Sequence, residues 1–448
     1  MNLNIEKIKI MRDEKIPAAL LKLGIPTMIG MLIAALYNTA DAYFVGRLGT
    51  SQMAAVSVTF PIGQFIIGFA MTFGTGAASY ISRLLGAQNK KNADKTASTS
   101  LYASLFISLF IIAFILFFLD EILIFLGATT TILPYAREYA IIYTFGSILS
   151  IFNVVMNNIV TSEGAAKLTM LSMLTGAFLN IILDPIFIYV FECGIKGAAI
   201  ATVLSQFITS LIYLHYILFK KGFLTFSIKN FSFNKKIYLE IFKIGIPTFV
   251  FQILTSVSIG LTNTAASVYG DSAVAAMGIT TRIMAMGTFV IFGYMKGFQP
   301  VAGYNYGAKN YKRLKESVKV SLKWSTLFCV ITAVLLMLFS NEIISCFSKN
   351  DSAVIEIGSK TLRINSMVFI FFGFQMIIMS LFLAIGRGKE GGILSISRNG
   401  IFFIPVILML PQIIGLNGVI YAQTIADIFT LLLTVFFTLR IKNKLKDI

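Results

Sequence analysis

The chain has 448 residues, of which 57% are hydrophobic and 13% charged, about half the charged fraction of a soluble domain. Its apolar runs, each long enough to cross a bilayer at ~20 residues, recur from end to end and exclude a water-soluble fold. The net charge of +17 does not mark a nucleic-acid binder, because the basic residues lie in short runs between the apolar stretches, as in loops that obey the positive-inside rule.

The opening MNLNIEKIKIMRDEK is charged and has no cleavage-site pattern, so no removable signal peptide is expected. Twelve spans follow, at 20–46, 53–80, 98–119, 135–161, 168–191, 196–219, 239–268, 273–300, 317–340, 360–385, 392–412 and 416–439. Most of the 37 Lys and Arg fall near the two termini and in the loops after even-numbered spans. The other loops carry Arg47, Arg137, Lys196, Lys349 and Lys360. Both termini are therefore expected in the cytoplasm, which requires an even number of spans.

The first span holds the two least ordinary residues. Pro26 removes a backbone donor and weakens the helix locally, which makes it a candidate hinge. Asp41 puts a carboxyl in hydrocarbon at a cost of roughly 2.5 kcal/mol or more. Tyr37 and Asn38 lie one turn before it. GTGAAS at 74–79 follows no strand, so it reads as small-residue helix packing and not as a nucleotide loop. No GxxxxGK[ST] is present to bind ATP.

The fourth span contributes Asn153, Asn157 and Asn158, the first two on one face. In the fifth, LNIILDPIF puts Asn180 one turn before Asp184, with Met173 on the same face. Pro185 cannot donate to the carbonyl of Ile181 and leaves it free beside the carboxylate. The sixth span adds Thr202. Cys193, Cys329 and Cys346 are isolated thiols, and the single histidine, His215, ends an apolar run. Neither a disulfide framework, a metal cluster nor an HExxH-type enzyme centre is expected.

After the basic segment from Lys220 the chain repeats itself at an offset of 221 residues. KLGIPT at 22–27 returns as KIGIPT at 243–248, GAQN at 86–89 as GAKN at 307–310, and Gly197 and Ala201 as Gly418 and Ala422. Six spans per copy give both copies one orientation, related by a pseudo-two-fold along the membrane normal. The expected fold is all-α and polytopic, with twelve transmembrane helices in two pseudo-symmetric six-helix lobes. The first lobe is 1–219, a cytoplasmic linker 220–238, and the second lobe 239–448.

The repeat is also an internal control. At the same offset Asp41 meets Thr262, Asn180 meets Ile401, Asp184 meets Pro405 and Thr202 meets Gln423. The carboxylate pair exists in the first copy alone, so the shared fold does not require it. Two carboxyls in an apolar setting can exchange a proton. Together with amide and hydroxyl oxygens they can instead ligate an alkali cation such as Na⁺. The sequence does not choose between H⁺ and Na⁺. In the second copy, Arg282 and Lys296 are open to three readings: facing an anionic group, pairing internally, or snorkelling to headgroups. Asp427 lies half-way along the last span.

The IPT…YNTADAYFVG opening, the LNIILDPIFI and GIKGAAIATVLSQ runs and the returning KIGIPT together resemble the multidrug and toxic compound extrusion (MATE) family over essentially the whole chain. The resemblance implies a secondary antiporter that exports amphipathic, often cationic compounds in exchange for H⁺ or Na⁺, without a cofactor. It implies a coupling site at Asp41, Asn180, Asp184 and Thr202. Tyr37, Asn38, Asn153, Asn157 and Met173 would line the cargo path or support that site. The branch with acidic residues in the seventh and tenth spans is not matched, because Gln252 and Gln375 stand there. Small-molecule drugs and membrane lipids are the implied partners, and a monomer in the plasma membrane the implied setting. The alternative is a flippase for lipid-linked precursors, which shares the two-lobed plan.

Overall fold

A computed structural model describes residues 2–219, 221–348 and 351–446, with side chains from Lys7 to Arg440. Lys220 and Lys349 lie outside the described residues, within which the chain is helical without a strand. A first helix, α1 (Asn2–Arg12), precedes the spans. The first lobe is α2 (Ile16–Gly46), α3 (Thr50–Gly86), α4 (Lys90–Phe117), the short α5 (Leu119–Phe125), α6 (Leu133–Ser162), α7 (Ala166–Pro185) and α8 (Gly194–Leu218). The second is α9 (Lys235–Ser267), α10 (Asp271–Gly307), α11 (Tyr311–Leu338), α12 (Ser340–Phe347), α13 (Ser352–Phe369), α14 (Phe372–Ala384), α15 (Gly388–Ile396), α16 (Phe403–Ile414) and α17 (Leu416–Lys446).

Eleven of these helices are long and apolar enough to cross a membrane alone, α7 and α15–α16 being continued through π-turns. The twelfth crossing is α13 and α14 together, bent by 49°. That bend, the short α5 and α12 and the π-turns carry no hydrophobic period of their own, and the sequence reading passes over them. The first helix is also a structural addition, because its charges concealed a docked segment.

The internal repeat is visible as geometry. In both GAQN and GAKN the third residue has positive φ (Gln88 and Lys309, each 57°), and the asparagine caps the next helix. Asn89 accepts from the backbone of Asn92 at 3.2 Å, and Asn310 from that of Arg313 at 3.2 Å. A side-chain oxygen at this position satisfies one of the donors that a helix start leaves open.

The lobes meet along α2, α3, α9 and α10, and the seam is built from glycine. A Cβ at Gly245 would lie 2.1 Å from the carbonyl of Thr72, and one at Gly297 2.5 Å from the backbone of Gly24. These contacts, like Ser79 donating to the carbonyl of Leu383 (2.5 Å) and the Arg83–Glu240 ion pair (2.7 Å), lie in the halves nearest the termini. Gln252 donating to Gln64 at 2.8 Å is the outermost bond between the lobes among the described residues. The lobes are thus closed on the terminal face, and the cleft opens to the opposite one.

Beneath that closed face α1 and the linker tie the lobes together. Lys7 donates to the Tyr216 hydroxyl (2.9 Å) and to the carbonyl of Lys221, while Arg313 of the second lobe donates to the carbonyl of Glu14 (2.7 Å). The chain between α8 and α9 is pinned by Glu163, whose carboxylate accepts from Tyr216 (2.5 Å) and from the backbone of Phe223 (2.8 Å) and Leu224 (2.9 Å). Burial pushes the Glu163 carboxyl above its ordinary range and pulls the neighbouring Lys7 ammonium below its own. Because α9 begins at Lys235, positions 235–238 of the expected linker are helical. Replacing Glu163 with alanine leaves the backbone donors of Phe223 and Leu224 unmet, the buried one at Leu224 at a cost of roughly 1–3 kcal/mol. Limited proteolysis at Lys221 and Lys229 should then be clearly faster than in the native protein. Equal cleavage rates would show that Glu163 does not hold the linker.

Candidate functional site

The polar residues of the first lobe gather where α2, α6, α7 and α8 meet. The Asn180 amide donates to Asp184 Oδ1 at 3.2 Å and to Thr202 Oγ1 at 3.3 Å, joining α7 to α8. Asp184 is fully buried and Asn180 nearly so, whereas Asp41 and Thr202 keep partial exposure. Asp41, on the facing side of α2, is near enough for its charge to act on Asp184. The helices approach this closely because Gly30 of α2 packs on Met173 of α7. Met173 therefore sets the spacing of the site from one turn-pair below it.

Three buried oxygens in this cluster have no hydrogen-bond donor: Asp41 Oδ1, Asn180 Oδ1 and Asp184 Oδ2. Buried acceptors are almost always paired, so three orphans in one place call for a missing positive partner. A proton on a carboxyl would supply one donor. A desolvated alkali cation would be met by three hard oxygens and the Thr202 hydroxyl. Tyr37, Tyr139 and Tyr143 lie within the field of Asp41. The rings of Tyr139 and Tyr143 stack at 5.8 Å. The sequence reading missed this tyrosine wall, although REYAIIY places the two rings one turn apart.

The structure does not bring every expected residue here. Asn38 is exposed, and its amide folds back on the carbonyl of Ala34 at 2.7 Å. Asn153 bolts α6 to α8, donating to Gln206 Oε1 (2.7 Å) and accepting from Ser210 (3.0 Å). Asn157 lies further towards the closed face, where it donates to the Tyr213 hydroxyl at 3.0 Å. Pro26 is buried within an uninterrupted α2, and the next hydroxyl, Thr27, bonds the carbonyls of Leu23 and Gly24. Directly after Pro185, read from the sequence only as freeing the Ile181 carbonyl, the chain forms a π-turn over Ile186–Val190.

The second lobe is built differently at its centre. Asp427 is bound by Arg398 at 2.8 and 3.2 Å and by Gln423 at 2.8 Å, so its charge is already matched. Arg398 comes from a π-turn, Ser397–Ile401, and stacks over Phe372 at 4.7 Å. Arg282, for which internal pairing was one reading, is exposed and meets no carboxylate among the described residues. Lys296 does not snorkel to a headgroup: its ammonium donates to Asn157 Oδ1 across the lobe seam.

A family model described as MatE matches this chain twice, over residues 26–186 and 247–409. Multidrug export protein MepA of Staphylococcus haemolyticus is 30% identical over 441 residues, which is 98% of this chain and 97% of that one. The same-named protein of Staphylococcus aureus strain N315 is 30% identical over 435 residues, 96% of each. Among solved structures, the outward-facing conformation of a multidrug resistance MATE family transporter of the MOP superfamily superposes with a TM-score of 0.93 at 29% identity, covering 99% of both chains.

Proposed function

The chain belongs to the MatE family of multidrug and toxic compound extrusion transporters, and on that premise we propose that it exports amphipathic organic compounds by antiport with H⁺ or Na⁺. The observation that carries the coupling is the set of three unpartnered buried oxygens around Asn180. The two lobes, closed at one face and parted at the other, are the parts that alternating access requires. Asp41, Asn180, Asp184 and Thr202 hold the coupling ion, which is a transported substrate. Both termini lie in the cytoplasm, and the cleft opens outward. Pro26 is the hinge: a proline leaves one backbone bond of α2 unmade, so the helix that carries Asp41 can bend there as the site fills and empties.

Proteoliposomes with an imposed ΔpH, and separately an imposed Na⁺ gradient, test this reading. A fluorescent amphipathic cation should be taken up in exchange for at least one of the two ions. In the same vesicles Pro26→Ala should slow turnover several-fold while leaving the cargo Kd nearly unchanged. Uptake that ignores both gradients would remove the antiport mechanism. A Pro26→Ala protein that transports at the native rate would remove the hinge.

A further inference from the structure

We propose that Lys296 of α10, with Gln299 one turn along, is a recognition site for an anionic group on the cargo. The proposal deepens the efflux reading and rests on it for the word cargo. It extends the compounds carried to amphiphiles that bear a carboxylate or a comparable monoanion.

Three observations converge on this residue. The first is position. Lys296 sits on the seam where α10 of the second lobe lies against α3 and α6 of the first, the surface that must part to admit cargo from the terminal face. A small cavity of about 10 Å³, with Ser79, Ser82, Asn158 and Thr161 on one side and Lys296 and Gln299 on the other, lies in this seam. That is space for roughly one water molecule. Separation of the lobes would widen the cavity.

The second is charge. Among the described residues no carboxylate lies within ion-pair distance of Lys296, and its one hydrogen bond goes to a neutral amide. An ammonium held out of water without a counter-ion is costly. The half-buried cation of the same lobe, Arg398, has its own carboxylate in Asp427. Lys296 is therefore partly desolvated and without a counter-ion in the closed state.

The third is donor capacity. An ammonium has three N–H donors, and one is in use. The Gln299 amide makes no hydrogen bond among the described residues, whereas the hydroxyls of Ser79, Ser82 and Thr161 are turned onto backbone carbonyls. When the seam parts and Asn157 moves away with the first lobe, α10 presents the ammonium donors and the Gln299 NH2 donors, beside one amide oxygen that accepts. Such a set attracts an anion and repels a purely cationic compound.

The alternative role for Lys296 is a clasp that holds the lobes shut through Asn157. The two roles separate when charge on the cargo is varied alone. The probes are a rhodamine with a free carboxylate and the same rhodamine as its methyl ester, titrated by fluorescence anisotropy against purified protein in detergent. The native protein should bind the carboxylate, and Lys296→Gln should weaken that binding at least tenfold while changing the ester less than twofold. Lys296→Arg should restore the carboxylate preference. Asn157→Asp, which supplies an internal counter-ion and leaves the lysine in place, should reproduce the loss. No carboxylate binding by native protein, or an equal change for both dyes, would overturn the anion site. Failure of the efflux reading would appear elsewhere, as absent gradient-driven uptake in vesicles, and would leave these binding constants intact.

Discussion

Asp41→Asn and Asp184→Asn should each abolish gradient-driven efflux, by at least a hundredfold, while both proteins still insert, fold and bind cargo. Asparagine keeps the shape of the side chain and part of its hydrogen bonding but cannot be neutralised by a proton and is a far weaker cation ligand. Antiport requires ion and cargo to bind with opposing effects, because a ligand that binds two states equally shifts neither. In the present geometry the Asn180 amide is shared between Asp184 and Thr202, and Asp41 answers across from α2. Occupancy at one carboxylate is therefore felt by the other. Interacting groups of this kind act as one unit, so the double variant should be little worse than either single one. Transport assays in vesicles with an imposed gradient decide the matter. If both single variants still concentrate a fluorescent cargo, the coupling ion binds elsewhere.

Asp427→Asn should fail in a different way. Its carboxylate is held by Arg398 and Gln423 within the second lobe, and removing it leaves a half-buried guanidinium unpaired. Breaking such a pair costs about 3–5 kcal/mol. The loss should appear as a lower unfolding temperature, with coupling per folded molecule unchanged.

Much of this arrangement was legible in the sequence, for identifiable reasons. Hydrophobic length gave the crossings, and the 221-residue repeat gave the two lobes, because both are written at every turn of the helices. The carboxylates stood out because charge in hydrocarbon has no cheap explanation. Asn180 and Thr202 followed from helical spacing and from the family resemblance. What stayed hidden depends on contacts between distant segments. Arg398, inside the expected span 392–412, drew no attention in the sequence, and only the π-turn that aims it at Asp427 gives it a role. Tyr139 and Tyr143 read as two more aromatics in an apolar span until α6 is set beside α2 and α7. Lys296 could snorkel as far as its sequence shows, and its role changes once α6 places Asn157 opposite. The opening segment was read only for its charge and its missing cleavage site because it has no apolar run, yet Met11 is completely buried and Lys7 is tied to the first lobe.

The seam itself yields the second large effect. Gly86 and Gly307 occupy equivalent ends of α3 and α10, and each meets the backbone of the opposite lobe. A Cβ at Gly86 would lie 1.9 Å from the carbonyl of Tyr304, and one at Gly307 2.0 Å from that of Arg83. Backbone cannot step aside as a side chain can, so a larger residue at Gly86 must separate the lobes at their closed end. Overpacking costs about 3 kcal/mol at its upper range, which corresponds to more than a hundredfold in the balance between closed and open states. The atoms displaced belong to the other lobe, so each lobe keeps its own packing. Gly86→Leu should therefore yield a folded protein that no longer closes on the terminal face. In a background without native cysteines, Gln299→Cys should react with an impermeant thiol reagent from that face at least ten times faster when Gly86→Leu is present. Efflux should fall by a similar or larger factor, because a transporter fixed open on one side cannot complete its cycle. Gly278, on the same α10, has open space where a Cβ would go, and leucine there should leave both readouts near native. Equal labelling rates with and without Gly86→Leu would mean that the glycine seam does not set which face is shut.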